Sequence, residues 1–200
     1  RTESRLWEGE FAIDFMNSDR FALQRSAQYE YLPSDFAISS AAGITLPKGN
    51  SYDFGEWSLT YNPGRQRPVS GNVTATHGSF YSGNRTSLAL AQGRVNVTSK
   101  FSLEPTYTLN KVALIEGSFT SHLLGSRINY TTSPMMFTSA LVQFNSDTKT
   151  VSANVRLRWQ YEPGSEFFIV YNEQRDTRLS GFPEMQNRAL IFKINKFFRP

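Results

Sequence analysis

Two histidines, His77 and His122, are the side chains of this sequence best suited to proton transfer near neutral pH. Hydrolases place a histidine beside a serine to activate it, and Ser121 directly precedes His122. The spacing fixes no third catalytic residue, so an interfacial or lumen-facing histidine is the preferred interpretation. Two histidines in a chain without cysteine also argue against a structural metal site. We therefore predict no catalytic, cofactor-binding or metal-binding residue.

Pairs of like charges form a second group of candidates. Glu8 and Glu10 are two residues apart, a spacing that puts both carboxylates on one face of a strand, where they could share acid–base work. Arg156 and Arg158 have the same spacing and the opposite charge. Either pair is explained as well by a hydrated row on the wall of a lumen. The arginines would then bias a pore toward anions, or pair with acidic rows and plug it.

The segment that carries the two arginines, Thr150–Glu162, alternates almost without fault. Because successive side chains of a strand point to opposite sides, the alternation predicts a long strand with one apolar and one polar face. The apolar row is Val151, Ala153, Val155, Leu157, Trp159 and Tyr161. The polar row is Ser152, Asn154, Arg156, Arg158, Gln160 and Glu162.

Similar alternation recurs along the chain and predicts about eleven strands and no amphipathic helix. On the second of them Arg25 falls in the apolar row, where it fits a lipid-facing surface poorly. The predicted strands are 5–17, 20–32, 52–61, 69–81, 86–97, 103–114, 119–131, 136–145, 151–162, 167–172 and 188–198.

Strand length and aromatic placement favour a membrane. A strand needs about 9–11 residues to span a bilayer, whereas strands of soluble proteins mostly have about 5–6. Aromatic residues near strand ends are typical of the belts at the two interfaces of a membrane. A soluble β-sandwich or lipocalin-like barrel with inward-pointing apolar rows remains the alternative, because alternation cannot distinguish inside from outside.

The connections between the predicted strands are unequal. Those at 17–20, 62–67, 98–100, 131–134 and 162–166 are odd-numbered, short and rich in turn-forming residues. The two long connections, 33–51 and 173–187, are both even-numbered. In an up-and-down sheet alternate connections lie at the same end, so both long loops should project from one end. Outer-membrane barrels have this asymmetry.

Composition limits the other possibilities. The chain has 200 residues, with 16 Phe, 9 Tyr and 3 Trp. Its mean hydropathy is −0.42, too polar for a helical membrane protein but compatible with strands that are half wetted. The net charge of +4 comes from scattered Lys and Arg rather than a patch, so nucleic-acid binding is not expected. No leader-like apolar segment follows Arg1, so we expect a processed chain or a fragment.

Strand parity supports the fragment interpretation. Bacterial single-chain barrels usually have an even strand number and both termini on the periplasmic side. Eleven strands that end at Phe198 would leave the first strand starting outside. We therefore expect residues 1–200 to form a single β-barrel region that lacks N-terminal strands. Those strands would come from the same barrel or from a partner chain.

Several segments resemble one protein family. They are Leu103-Glu-Pro-Thr, Met136-Phe-Thr-Ser-Ala-Leu-Val-Gln-Phe-Asn, Arg156-Leu-Arg-Trp-Gln-Tyr-Glu-Pro-Gly-Ser-Glu-Phe-Phe-Ile-Val-Tyr-Asn-Glu and Asn187-Arg-Ala-Leu-Ile-Phe-Lys-Ile, with Tyr31-Leu-Pro-Ser-Asp-Phe and Phe80-Tyr-Ser-Gly-Asn-Arg-Thr earlier in the chain. Together they resemble the C-terminal barrel of a large bacterial family of uncharacterised outer-membrane proteins. Members are often described with an N-terminal carbohydrate-binding, family-9-like domain, which has no counterpart here. The resemblance covers most of the chain and transfers no catalytic residue. The aromatics Phe197 and Phe198 stand near the end of the chain, not at it as in many outer-membrane proteins.

The fold class predicted from these observations is an all-β, antiparallel, up-and-down transmembrane β-barrel of a bacterial outer membrane. Its expected role is structural, anchoring or solute-conducting, without catalysis and without a cofactor. The alternatives are a soluble β-barrel or sandwich that binds a small ligand, and an outer-membrane hydrolase. The predicted lumen-facing residues are Glu8, Glu10, Asp14, Asn154, Arg156, Arg158, Gln160 and Glu162. The predicted lipid-facing or belt residues are Trp7, Phe11, Phe15, Tyr31, Trp57, Tyr61, Leu157, Trp159, Tyr161, Phe192 and Phe198.

Overall fold

The fold is taken from a computed structural model that describes residues 2–64, 66–178 and 181–198. Over these residues the chain forms thirteen β-strands and no helix. Within the described ranges, no helix has the length and apolarity that a membrane crossing requires.

Eleven long strands form one antiparallel sheet, and two short strands form a separate hairpin. The short strands are β3 (Phe36–Ser39) and β4 (Ile44–Leu46). The long strands are β1 (Ser4–Asp14), β2 (Arg20–Tyr31), β5 (Ser51–Asn62), β6 (Val69–Phe80), β7 (Gly83–Asn96), β8 (Phe101–Leu114), β9 (Gly117–Ser133), β10 (Met136–Asn145), β11 (Thr150–Glu162), β12 (Ser165–Asp176) and β13 (Glu184–Asn195).

The eleven predicted strands are confirmed as the strands of the main sheet, with differences at their ends. β1 stops at Asp14 rather than at residue 17, because the backbone turns there: the N–H of Phe15 donates to the carbonyl of Asp19 over 2.8 Å. β12 extends four residues beyond its predicted end, to Asp176. β13 begins earlier than predicted and ends at Asn195, so Phe198 lies after the strand, not in it.

Each long strand pairs with its neighbours along the chain, in the order β1-β2-β5-β6-β7-β8-β9-β10-β11-β12-β13. This is the up-and-down order expected from the sequence. The first and last strands of the order each have one neighbour among the described residues, so over this part of the chain the sheet is not closed.

The short odd-numbered connections are confirmed, although Arg65 of the 62–67 turn lies outside the described residues, as do Arg199 and Pro200 at the chain end. Both long connections are even-numbered, as predicted, but each contains less loop than expected. The first folds into the β3–β4 hairpin, whose strands of four and three residues are too short to show a period of two. The second shrinks to residues 177–183, of which 179 and 180 are not described.

The chain divides into two compact units. The first unit consists of Arg1–Ala91 and Tyr107–His122, and the second of Gln92–Thr106 and Leu123–Pro200.

Candidate functional site

The two faces of the sheet in the first unit differ in a direction opposite to that of a water-soluble protein. On its apolar face the large side chains are open to the surroundings: Phe11 is 65% exposed, Trp57 53% and Leu59 42%. On its polar face Glu56 is only 8% exposed and Ala22 7%. The polar side chains therefore form the covered side of this unit, and the apolar ones form the uncovered side.

An ion pair lies on the covered part of the polar face. Glu56 of β5 and Arg85 of β7 are joined by two hydrogen bonds, one of which runs from Arg85 Nε to Glu56 Oε1 over 2.7 Å. The Arg85 guanidinium also lies 4.2 Å from the centre of the Phe80 ring. Gly78 stands opposite Glu56 in the register, and a Cβ there would come within 2.3 Å of the Gly55 carbonyl oxygen. The close approach of β5 and β6 at this pair therefore requires glycine.

A second, more exposed ion pair joins the first two strands. Arg20 at the start of β2 donates to Glu10 over 2.7 Å and to Asp14 over 3.1 Å. Glu8 lies on the same face, opposite Ser26. The predicted acidic row of β1 is thus present on the polar face. Glu8 and Glu10 lie in one row there, and Glu10 is engaged by an arginine.

The β3–β4 hairpin covers one end of the first unit. Leu46 is completely buried, and Leu32 and Ile44 are 4% and 5% exposed. The side chain of Ile44 reaches Gly117 at the start of β9, where a Cβ would meet its Cδ1 at 3.0 Å. Three strands separate β5 from β9 in the sheet order, so the hairpin lies across the strand ends rather than beside them.

An aromatic cluster packs against the hairpin. Phe36 of the hairpin contacts Tyr81, which follows β6, at a ring-centre distance of 5.9 Å. Tyr81 in turn packs against Phe54 and Phe80 at 4.8 Å and Tyr52 at 5.3 Å. Phe54 is two residues from Glu56 on the same row, so the cluster lies on the polar face. The main apolar packing of the first unit is therefore at one end of an otherwise polar surface.

Tyr81 is also held by a carboxylate. Its hydroxyl donates to Glu30 over 2.8 Å. Burial raises the pKa of the Tyr81 phenol, and the hydrogen bond to Glu30 raises it further. The hydroxyl consequently stays protonated and remains a donor throughout the physiological pH range.

At the opposite strand ends Asp19 links two turns. Its Oδ1 accepts the backbone N–H of Gly64 over 2.8 Å, and its Oδ2 accepts from the Tyr61 hydroxyl and from Arg67, each over 2.8 Å. The Gly64 N–H is the largest cause of a lowered pKa at Asp19, followed on the same side by Tyr61 and Arg67, while burial opposes it. The carboxylate fixes the β1–β2 turn to the β5–β6 turn.

The polar face of the second unit carries the basic residues predicted for a lumen. Arg158 on β11 forms an ion pair with Glu166 on β12. Asn154 donates from its amide to Asn172 of the neighbouring strand. Arg156 lies between Ser139 and Val170 in the register and is exposed. Gln160 lies opposite Glu166, and Glu162 opposite Ser165 beside the turn.

The predicted belt residues of the second unit fall into two groups. Leu157 and Trp159 are in the apolar row of β11, and Phe192 stacks on Phe167 at 6.4 Å in the apolar row of β12 and β13. Tyr161 sits at a register shift near the end of β11, where its hydroxyl donates to the carbonyl of Asn195 over 3.1 Å. Phe198 follows the last strand, and the Lys196 ammonium lies over its ring, 5.5 Å from the ring centre.

The predicted belt residues of the first unit are mostly on the apolar face. Trp7 and Phe11 are on β1, and Trp57 and Tyr61 are on β5. Two predictions fall at strand ends instead: Tyr31 is the last residue of β2, and Phe15 is in the turn after β1.

Both histidines have hydroxyl partners. His77 Nδ1 lies 2.8 Å from Thr86 Oγ1, and His122 Nδ1 lies 3.0 Å from the Tyr107 hydroxyl. Ser121 accepts a hydrogen bond from the side-chain amide of Asn110 over 3.4 Å. Among the described residues no three His, Asp or Glu side chains are grouped closely enough to hold a metal ion.

Sequence reasoning missed the residues that organise the polar face. Glu56, Arg85 and Asp19 were not among the predicted site residues, nor was the hairpin. A signal for Glu56 was present, because it alternates with Trp57 and Leu59 on β5. The pairing of Glu56 with Arg85 depends on strand register, which alternation does not fix.

No protein-family model, no curated protein and no solved structure matches the chain.

Proposed function

We propose that this chain is part of a β-barrel of a bacterial outer membrane and that it acts as a conduit or anchor, without catalysis. The observation that carries the proposal is the inverted burial in the first unit: Trp57 and Leu59 are exposed, while Glu56, which directly precedes Trp57 on β5, is covered. In water this arrangement would expose apolar area and bury charge, both of which are unfavourable. In a bilayer the apolar face contacts lipid, and the polar face is sheltered or wetted from the other side.

Strand length supports the same proposal. The long strands have 10 to 17 residues, compared with the roughly 9–11 that cross a bilayer at the usual tilt. The resemblance to an outer-membrane family noted in the sequence agrees with this location.

The two edge strands of the sheet, β1 and β13, need pairing partners if the sheet spans a membrane. In hydrocarbon an unpaired row of backbone N–H and C=O groups is too costly, so a spanning sheet must be closed. Over the described residues β1 pairs only with β2, and β13 only with β12. We propose that further strands, of the same barrel or of a partner chain, complete the pairing.

A charged substitution on each face tests the membrane location. Leu23 and Gln24 are neighbours on β2 and point to the apolar and polar faces respectively. We expect Leu23→Arg to destabilise the protein in lipid vesicles by about 2–4 kcal/mol, the cost of arginine on the lipid face. Gln24→Arg, the matched control, should cost less than about 1 kcal/mol, since it remains among polar side chains.

Urea unfolding in vesicles measures the stability of the two variants. A separate experiment compares the gel mobility of protein extracted from membranes, with and without boiling. Wild-type protein should require detergent and should change mobility on boiling. Protein that is monodisperse without detergent, with equal stability of the two arginine variants, would overturn the membrane proposal. A soluble ligand-binding barrel would then be the better explanation.

Releasing the β3–β4 hairpin tests whether the protein acts as a conduit or as an anchor. Leu46, at the end of hairpin strand β4, is buried, whereas the adjacent Thr45 is exposed. A charge at position 46 should release the hairpin, because an unpaired buried carboxylate is costly. We expect Leu46→Asp to increase conductance in planar bilayers several-fold over the wild type, and Thr45→Asp to leave it unchanged. Equal, negligible conductance of all three proteins would favour an anchoring role.

The hydrolase alternative makes a different prediction at His122. An outer-membrane hydrolase that used this histidine would lose ester or amide hydrolysis in His122→Ala. A non-catalytic His122 bonded to Tyr107 predicts no measurable hydrolysis in either protein.

A further inference from the structure

Arg25 is on the apolar face of the first unit, away from the strand ends. Arg25 is in the middle of β2, between Leu23 and Ala27 of the same row. Among the described residues no carboxylate forms an ion pair with it, whereas Arg20 on the same strand pairs with Glu10 and Asp14. A guanidinium on a lipid-facing row is expensive unless an anion or an interface compensates it.

The surroundings of Arg25 hold its guanidinium flat against the sheet. Its Cζ lies 5.5 Å from the centre of the Trp57 ring. A Cβ on Gly55 would meet its Nη2 at 2.9 Å, so any larger residue at Gly55 would displace it. Gly9 stands opposite Arg25 on β1 and leaves room in the same way for the indole of Trp7, which would meet a Cβ there at 3.0 Å. Gly55 thus leaves space for the guanidinium of Arg25, and Gly9 leaves space for the indole of Trp7.

A groove of about 260 Å³ is lined by two neighbours of Arg25, Leu23 of the same row and Trp57 of the next strand. Trp57, Leu23, Leu59 and Ala75 contribute apolar surface to the groove, and Thr76, His77, Thr86 and Ser87 complete its lining. Trp57 is opposite Arg25 on one neighbouring strand and His77 on the other, so the three side chains are level across β2, β5 and β6. The exposed lining of the groove is mainly apolar.

From this arrangement we propose that the apolar face binds a phosphate-bearing membrane lipid, with the phosphate on Arg25 and part of one acyl chain in the groove. The planar guanidinium suits phosphate oxygens, and its weak hydration suits a partly dry site. The Trp57 ring holds the guanidinium in place through a cation–π contact. The inference rests on the proposed membrane location, because the groove faces lipid only if the apolar face does.

Native mass spectrometry in an uncharged detergent tests the site with two defined probes. Dioleoylphosphatidic acid carries a phosphate, and dioleoylglycerol has the same acyl chains without it. We expect the wild-type chain to bind phosphatidic acid at least ten times more tightly than diacylglycerol. Inorganic phosphate, added as a competitor, should displace little lipid, since it lacks the acyl chain.

Three variants assign the contacts. Arg25→Gln should weaken phosphatidic acid binding about tenfold. Arg5→Gln is the matched control, because Arg5 also lies over an aromatic ring of this face, 6.0 Å from the centre of Tyr29. It should weaken binding less than twofold. Ala75→Phe should weaken both lipids by filling the groove, and because Ala75 is exposed this variant remains informative if Arg25→Gln fails to fold. Equal binding of the two lipids, or an Arg25→Gln protein that binds like the wild type, would overturn the site.

Failure of the site is distinguishable from failure of the proposed location. Heat-modifiable, detergent-dependent protein without selective lipid binding would overturn the lipid site alone. Protein that is soluble without detergent would overturn the membrane location and, with it, the lipid site.

Discussion

The polar faces of the two units carry similar pairs of charges but differ in how they are covered. In the first unit the side chains of Glu56 and Arg85 are 10% and 31% exposed. In the second unit those of Glu166 and Arg158 are 22% and 45% exposed. The first unit has the hairpin and the aromatic cluster on its polar face. The difference shows that the strands supply the polar row, whereas a connection decides how far it is sheltered.

The largest difference expected between the two units concerns the stability that each ion pair contributes. Glu56→Ala should cost about 2–3 kcal/mol in the free energy of unfolding, because it leaves the guanidinium of Arg85 partly buried without its carboxylate. Arg158→Ala should cost less than about 1 kcal/mol, as is usual for an exposed pair. Urea unfolding in lipid vesicles measures both.

The double variant Glu56→Ala/Arg85→Ala is the control for the first pair. It should recover part of the loss, since no charge is then left unpaired. Equal costs in the two units would contradict the difference in burial on which the comparison depends.

A second, intermediate effect concerns pH. The carboxylate of Asp19 has a lowered pKa because Gly64, Tyr61 and Arg67 donate to it. A lowered pKa means that the turn contact is fully present above the ordinary aspartate pKa and is lost as the pH falls through the lowered value. The β10–β11 turn of the second unit is instead held by the neutral amide of Asn145, which accepts from the N–H of Asp147 over 2.8 Å.

Hydrogen-exchange protection factors can follow both turns. Protection of the Gly64 amide should fall in strong acid, whereas that of the Asp147 amide should change little. In Asp19→Asn, an amide replaces the carboxylate, and protection at Gly64 should be weaker but independent of acid. Parallel loss at both amides in the wild type would indicate general acid unfolding rather than release of one turn.

The smallest expected effect compares two hydroxyl pairs. Thr60 and Thr74 are 3.0 Å apart on the partly buried polar face of the first unit, and Thr148 and Thr150 are 2.7 Å apart at an exposed turn of the second. Thr60→Val should cost about 0.5–1.5 kcal/mol, because Thr74 loses its partner away from water. Thr148→Val should cost less than about 0.5 kcal/mol, because water replaces the lost bond. Thermal unfolding in detergent would show the difference, and equal melting points would contradict it.

The sequence predicted the long strands well because they are half apolar and long enough for a period of two to be visible. It also predicted the polar rows of β1 and β11, including Glu10 and Arg158, which the structure places on polar faces with ionic partners. The hairpin was missed because Ile44 and Leu46 span a single period of two residues, and Ile44 packs against Gly117, which is distant in the sequence. Alternation is a property of one strand, whereas ion pairs and covering loops are properties of several.

The sequential order of the sheet has a consequence for how such a molecule can change over evolution. Each long strand pairs only with its neighbours in the chain, so inserting or removing two consecutive strands together with their turns leaves the direction of every other strand and the face of every other side chain as they were. Gain or loss of a single strand would instead reverse the direction of all strands that follow it. Size can therefore vary by whole hairpins while the apolar and polar rows are inherited intact.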